Sequence, residues 1–257
     1  MLSYAQNGED VVLARAFKNQ SSGFYVDVGA CDPQACSVTK HFYDRGWHGI
    51  NVEPIDVYHE KLNLERPRDI NLKLAVASRA SRAEFVAYEG ALGISGLREM
   101  LNHQAIGTTE FASKGTTYEV EVATLSQIVT QHVSTCVDFL KIDVEGAEKA
   151  VLEGADWKTF RPRVIVIEAI RPMSNEPTWP EWEDLLTAAG YSFALFDGLN
   201  RFYYRCEEPE LRAPLSVPAN VLDGYVSAAH YDLHVRFEKL ADAFHALHNR
   251  VAELEGR

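Results

Sequence analysis

The stretch FYVDVGACDP, residues 24–33, opens with bulky residues of high strand propensity and closes in a turn with one glycine between two acids, Asp27 and Asp32. A strand that leaves an apolar core and delivers Asp27, Gly29 and Asp32 to one place is forming a site at its carboxyl end. In open α/β sheets ligands collect at that edge, where the strand order reverses. Gly29 lets the backbone approach a ligand closely or adopt positive φ, and the neighbouring acids favour a cationic or hydroxyl-bearing guest over a phosphate.

Working outward, short runs rich in Val, Ile, Phe and Tyr alternate with segments of helical period, which predicts a mainly parallel α/β sheet covered on both faces. Strands are expected at residues 23–29, 49–53, 71–77, 83–88, 118–124, 137–143, 163–169, 191–197 and 201–206. Helices are expected at 38–45, 56–66, 125–132, 146–153 and 180–189, the last closing at Gly190. The brief connection Asp197-Gly198-Leu199-Asn200 demands a hairpin, so an antiparallel strand ends the sheet. Residues 89–115 are glycine-rich and weakly periodic, and read as an insertion able to cover a site.

The first turn lacks G-x-G-x-x-G, whose glycines admit a pyrophosphate to a helix N-terminus, so a dinucleotide is a poor guest. Glu53, in INVEPI, stands where a carboxylate grips ribose hydroxyls in nucleoside-binding sheets. A nucleoside without phosphate is the consequence, and S-adenosylmethionine, with its ribose, sulfonium and amino-acid tail, fits. An oxidoreductase using NAD would share the architecture and nothing else.

A second acidic edge follows. VDFLKIDVEGAEKAVL brings Asp143, Glu145 and Glu148 to the carboxyl end of a strand on which Lys141 alternates with Asp143, and VIVIEAIRP adds Glu168 and Arg171. Carboxylates gathered this closely are costly unless they bind a cation, share a proton or meet a charged ligand. Methyl transfer to an alcohol needs the hydroxyl proton removed during attack. Either Asp143 or Glu145 takes it directly, or Asp143 and Glu168 hold a Mg²⁺ ion that lowers the hydroxyl pKa. Glu148 and Glu145 also suit a plain role at the N-terminus of the following helix.

The 257 residues are 46% hydrophobic, with a formal net charge of −12 spread along the chain. No basic face exists for nucleic acid or anionic lipid. Neither a secretory leader nor an apolar run of membrane-span length is evident, so the expected location is cytoplasmic. Cys31, Cys36, Cys136 and Cys206 show no metal or disulfide spacing and are expected to be reduced packing residues. His41, His48 and His103 stand alone and read as bystanders.

After Glu207 the prolines 209, 214 and 218 punctuate a polar linker, residues 209–225, that separates a domain of residues 1–208 from a helix of residues 226–257. There Leu233, Phe237, Leu240, Phe244, Leu247, Val251 and Leu254 recur at alternating steps of four and three, the pattern of a coiled-coil seam, the alternative being one amphipathic helix packed back on its own domain.

The segments SYAQNGEDVVL, FYVDVGACDP, FYDRGWHGINVEP, VDFLKIDVEGAEKAVLEG and RPRVIVIE, in this order between Ser3 and Cys206, together resemble the FkbM-type S-adenosylmethionine-dependent O-methyltransferases. The resemblance implies the seven-stranded class I methyltransferase sheet and methyl transfer to hydroxyls of sugars or other secondary metabolites. It makes Asp27, Gly29 and Ala30 the cofactor loop and sets Ser37 toward the amino-acid tail. Glu53 binds ribose, Pro54 and residues 75–77, Ala75 first, flank adenine, and Asp143 and Glu145 occupy the family's I-D-V-E-G segment. Gln6, Gly8, Glu9 and Asp10 fold over the cofactor, or else Asn7 to Asp10 simply cap a helix. Many members carry His or Asn where this chain has Cys31 and Asp32. The tail after Asp197 resembles a branch found in larger proteins that build bacterial surface polysaccharides, often beside glycosyltransferase domains. A glycan acceptor, and a homo-oligomer or fusion joined through the coiled coil, are the implied partners. The competing expectation is a scaffold without turnover.

Overall fold

The computed structural model describes residues 1–88, 92–101 and 115–256. In chain order the elements are β1 (Leu2–Ser3), α1 (Glu9–Ala16), β2 (Phe24–Val28), α2 (Lys40–Asp44), β3 (His48–Val52), α3 (Asp56–Glu65), β4 (Ile70–Leu72), β5 (Ala75–Val76), β6 (Ser81–Tyr88), β7 (Gly96–Leu97) and β8 (Gly115–Ala123). Then come α4 (Leu125–His132), β9 (Phe139–Ile142), α5 (Glu148–Glu153), β10 (Val164–Glu168), α6 (Glu183–Ala188), β11 (Tyr191–Phe196), β12 (Asn200–Arg205), α7 (Arg212–Leu215), β13 (Val226–Ser227) and α8 (Ala228–Glu255).

The main sheet has seven strands in the order β11-β12-β10-β9-β2-β3-β4. β10, β9, β2, β3 and β4 pair in parallel, and β12 lies antiparallel between β10 and β11. The antiparallel strand is therefore the last of this sheet in chain order but sits one place inside the sheet edge. β2, β9 and β10 are buried throughout because both faces are covered. Phe24, Val26, Leu140, Ile142, Ile165 and Ile167 pack on one face. Tyr25, Phe139, Val164 and Val166 pack on the other, with Phe17, Phe42 and Trp47.

That alternation positions the site. Asp27 is in register with Lys141 and with Asn51, and Lys141 with Val166. Because side chains repeat every second residue, Asp27, Glu53, Lys141, Asp143 and Glu168 all leave the sheet on one face, at its carboxyl edge.

Two expected elements change. The strand over 71–77 divides at Lys73 and Leu74: β4 closes the main sheet and β5 opens a second, four-stranded sheet in the order β5-β8-β6-β7. That small sheet is amphipathic, with Phe85, Leu97, Val120 and Val122 inward and the Arg82–Glu119 ion pair on its solvent face. Of the insertion at 89–115, residues 92–101 supply a short 3₁₀ turn and β7, while 89–91 and 102–114, with His103, lie outside the described residues. The expected linker is also partly packed. Leu211 and Leu215 are buried in the same core cluster as Val12, Leu13 and Phe17, so residues 209–215 belong to the body of the domain.

α8 leaves this body beside β13, which pairs in parallel with β1. Its seam residues, from Leu233 to Leu254, are exposed, so the helix does not fold back onto the domain. Among the described residues no helix is long and apolar enough to cross a membrane, and the four cysteines are free.

Gly29 ties the fold to the site. Its φ is +80°, and a Cβ there would stand 1.8 Å from the Asp143 carbonyl oxygen, so the ends of β2 and β9 approach closely only with glycine. Gly198 has φ +103° and open space around it. Gly29→Ala is accordingly expected to cost roughly 3 kcal/mol or more, and Gly198→Ala about 1 kcal/mol, compared by thermal melting.

Candidate active site

The carboxyl edge of the main sheet and the inner face of the small sheet enclose a cavity of about 480 Å³, within the range of small-molecule sites. One end is apolar, walled by Val52, Ile55, Tyr58, Leu74, Phe85 and Leu97. The other is acidic, lined by Asp143, Glu145 and Glu168 with Lys141 among them. Gln6, Gly29, Glu53, Pro54 and Ala75 also line it.

Lys141 organises the acidic end. Its Nζ donates to the Gly29 carbonyl at 2.6 Å and lies 3.3 Å from Asp27 Oδ1 and 3.4 Å from Asp143 Oδ2. Burial opposes the charge on this ammonium, but Asp27 and Asp143 outweigh it and hold the pKa above the ordinary lysine value. Asp27 is itself fully buried, and burial raises its pKa while Lys141 and the Thr39 hydroxyl, 3.2 Å away, pull it back. Asp27 therefore lies beneath the cavity, as an anchor for Lys141.

Glu53 shares the apolar end. Its Oε2 accepts from Cys31 N and its Oε1 from Ile55 N, both at 2.8 Å, which fixes the carboxylate against the glycine turn. Burial pushes its pKa up to about 7 despite those donors. Each oxygen retains a further lone pair toward the cavity.

Asp143, Glu145 and Glu168 each offer an oxygen lying within 4.8 Å of those of the other two. Burial and the adjoining Asp143, Glu145 and Glu148 charges hold the Glu168 pKa far above the carboxylate range, and its Oε2 is buried without a hydrogen-bond partner. Burial, with Asp143 and Glu148 nearby, does the same to Glu145. Glu145 is presented by a tight turn: its own φ is +56° and that of Gly146 is +101°. Glu148 Oε1 accepts from Val144 N and Gly146 N, both at 3.1 Å, so Glu148 braces that turn from below.

The remaining expected residues fall elsewhere. Ser37 is buried beside Arg66, whose Nη2 donates to it at 3.1 Å, and it does not reach the cavity wall. Ala30 is buried behind the turn, its N–H bonded to Val52 O. Ala30 follows the reversal at Gly29 directly, whereas Ser37 comes after Cys31, Asp32, Ala35 and Cys36, which do line the cavity. Asp32 stands at the rim, accepting from Gln34 N and Ala35 N and pairing with Lys61 at 2.7 Å. From the N-terminal segment only Gln6 lines the cavity among the described residues. Glu9 instead accepts from Asn7 N and Asn200 Nδ2, and Asp10 from Ser3 Oγ and Tyr4 N. Neither His41 nor His48 reaches the site.

Several wall residues were not singled out from sequence. Ile55 and Tyr58 come from the start of α3, Phe85 from β6 and Leu97 from β7, and Tyr58 reads as an ordinary helical aromatic. Lys141 carried a signal, an ammonium in an otherwise apolar strand, because a lysine buried there requires paired acids.

Glu9, Glu53 and Glu148 are each buried with pKa about 7, against 4.5 for an unconstrained glutamate. The folded state then holds more protons than the unfolded one between these values, so stability is fully present below pH 4.5 and is lost as pH rises through 7. Melting temperature of the ligand-free protein is expected to fall between pH 5.5 and pH 8, checked by calorimetry, each acid losing on the order of 2 kcal/mol over that interval.

Comparison with known proteins places this geometry. The model of the methyltransferase FkbM domain matches residues 27–193. No curated protein matches the chain. Among solved structures, a TehB-like SAM-dependent methyltransferase from Corynebacterium glutamicum is 9% identical with TM-score 0.42, covering 77% of this chain and 87% of its own. The 1,6-didemethyltoxoflavin-N1-methyltransferase of Burkholderia thailandensis, solved with 1,6-didemethyltoxoflavin and S-adenosylhomocysteine, is 10% identical with TM-score 0.36, covering 77% of each chain. The matched residues run from Asp27, beneath the cavity, past Asp143, Glu145 and Glu168 to the far edge of the sheet, and this chain belongs to the FkbM methyltransferase family.

Proposed function

We propose that the protein is an S-adenosylmethionine-dependent O-methyltransferase acting on a sugar hydroxyl of a bacterial glycan. The observation that carries this reading is the division of one cavity into an apolar, Glu53-bearing end and an acidic end. An adenosine fits the first: Tyr58, Ile55, Phe85 and Leu97 offer surface for the base, and the free lone pairs of Glu53 accept from ribose hydroxyls. A sulfonium fits the second, where Lys141 is, among the described residues, the cation facing Asp27, Asp143, Glu145 and Glu168. The empty site holds Glu145 and Glu168 toward their protonated forms, and a cationic guest would favour the ionised ones, so the acids and the guest stabilise each other.

S-Adenosylmethionine supplies an electrophilic methyl group whose bond to sulfur breaks as the acceptor oxygen bonds to its carbon, leaving a neutral thioether. The chain has to receive the hydroxyl proton and keep water away. Asp143 lines the site with a part-exposed carboxylate able to accept it, Glu145 can do so once a cationic donor has favoured its ionised form, and Gly93, Ile94 and Ser95 roof the site on the side of the small sheet. Gln6 closes the wall near the tail end.

A second reading of the proton step is favoured by the unpartnered Oε2 of buried Glu168. Asp143 and Glu168, with Glu145 as a third oxygen donor, suit a Mg²⁺ ion, which would lower the acceptor hydroxyl pKa by its charge. The two readings part on one measurement. Turnover of isotopically labelled methyl donor that survives exhaustive chelation assigns the proton to Asp143 or Glu145 directly, and turnover restored by added Mg²⁺ assigns the ion.

Calorimetry with S-adenosylhomocysteine tests the donor site: the protein is expected to bind it, and Glu53→Ala to weaken binding at least tenfold. Asp143→Asn is expected to lower kcat by about 10² or more while leaving that binding within a few-fold. Mass spectrometry of glycans incubated with labelled donor identifies the acceptor, and absence of any S-adenosylhomocysteine binding would leave the scaffold role as the better account.

A further inference from the structure

We infer that α8 is the dimerisation element of this protein and that its occupant is the α8 of a second copy, wound in parallel and in register. α8 runs for 28 residues, about 42 Å, with its base beside β13 and the rest of its length exposed. Leucine takes every d position, at 233, 240, 247 and 254, and Phe237, Phe244 and Val251 take the a positions between them. None of these side chains is covered: Leu240 is 68% exposed, Phe237 66% and Leu247 64%.

The size of the stripe decides against leaving it to solvent. Seven large apolar side chains at this exposure present on the order of 800 Å² of apolar surface, close to what each partner contributes to a stable specific interface. A patch of that extent on a free surface marks an interaction site.

The flanking residues identify the partner as the same helix in the same direction. In a parallel, in-register pair each g residue faces the e residue five positions on in the other helix. Those pairs are Arg236 with Ala241, Ala243 with His248, and Arg250 with Glu255, so one is an opposite-charge pair and none sets like formal charges together. Ala241 and Ala243 flank the Phe244 layer, leaving room for two rings at one level of the seam. The methyltransferase bodies then sit together at the amino end of the paired helices.

Light scattering of the full chain at micromolar concentration is expected to give twice the chain mass. The pair Leu240→Glu and Leu247→Glu, both on the exposed stripe, is expected to halve that mass while leaving the melting temperature of the domain body within a degree or two. Leu247→Cys is expected to crosslink into a covalent dimer on mild oxidation, beyond the level given by the native cysteines. A monomeric full chain, or a dimer indifferent to the two glutamates, overturns the proposal. A dimer in which Leu247→Cys fails to crosslink overturns the parallel register.

Discussion

The ion triad of Lys141 with Asp27 and Asp143 holds the rest of the site in place. Lys141 springs from β9 and binds the Gly29 carbonyl and Asp27 on the neighbouring β2, so the carboxyl ends of the two central strands are cross-linked at the floor of the cavity. Taking an ammonium and a carboxylate out of water costs several kcal/mol per ion, and removal of either partner would leave the other stranded. Lys141 and Asp143 share a face because they are two residues apart at the end of one strand, and Gly29 permits the ends of β2 and β9 to approach without a side chain between them, which brings Asp27 to the same ammonium.

Around that floor the acids outnumber the cations, and the geometry sorts them by task. Asp27 and Glu148 are spent on structure, the first anchoring Lys141 and the second bracing the turn at Gly146. Glu53 is held by two backbone donors and still faces the apolar end. Asp143, Glu145 and Glu168 remain, close together and short of donors, with burial driving Glu145 and Glu168 toward their protonated forms. A methyltransferase uses such an excess well, because its donor is a cation and its acceptor must give up a proton.

Much of this was legible in the chain. FYVDVGACDP set the first strand, the glycine turn and the buried acid, and INVEPI set Glu53, because buried parallel strands read as continuous apolar runs whose ends are marked by the first polar residues. Asp143 and Glu168 were legible for the same reason. Ala30 misled because the reversal at Gly29, φ +80°, sends the next residue behind the wall, and Ser37 because it is buried against Arg66, far away in the chain. The split of residues 71–77 between two sheets, and the packing of Leu211 and Leu215 into the core, depend on neighbours far away in the chain.

By itself the sequence determined the parallel sheet, the residues at its carboxyl edge and the heptad spacing of apolar residues in α8, because side-chain periodicity is a local property of the backbone, whereas the exposure of that stripe was decided by the tertiary structure. Tertiary structure alone decided that Tyr58, Phe85 and Leu97 share a wall with Glu53, and that Asp143, Glu145 and Glu168 converge within 4.8 Å. Those residues meet through strand order and a second sheet folded over the first, and no local pattern of residues records which distant strands will lie side by side.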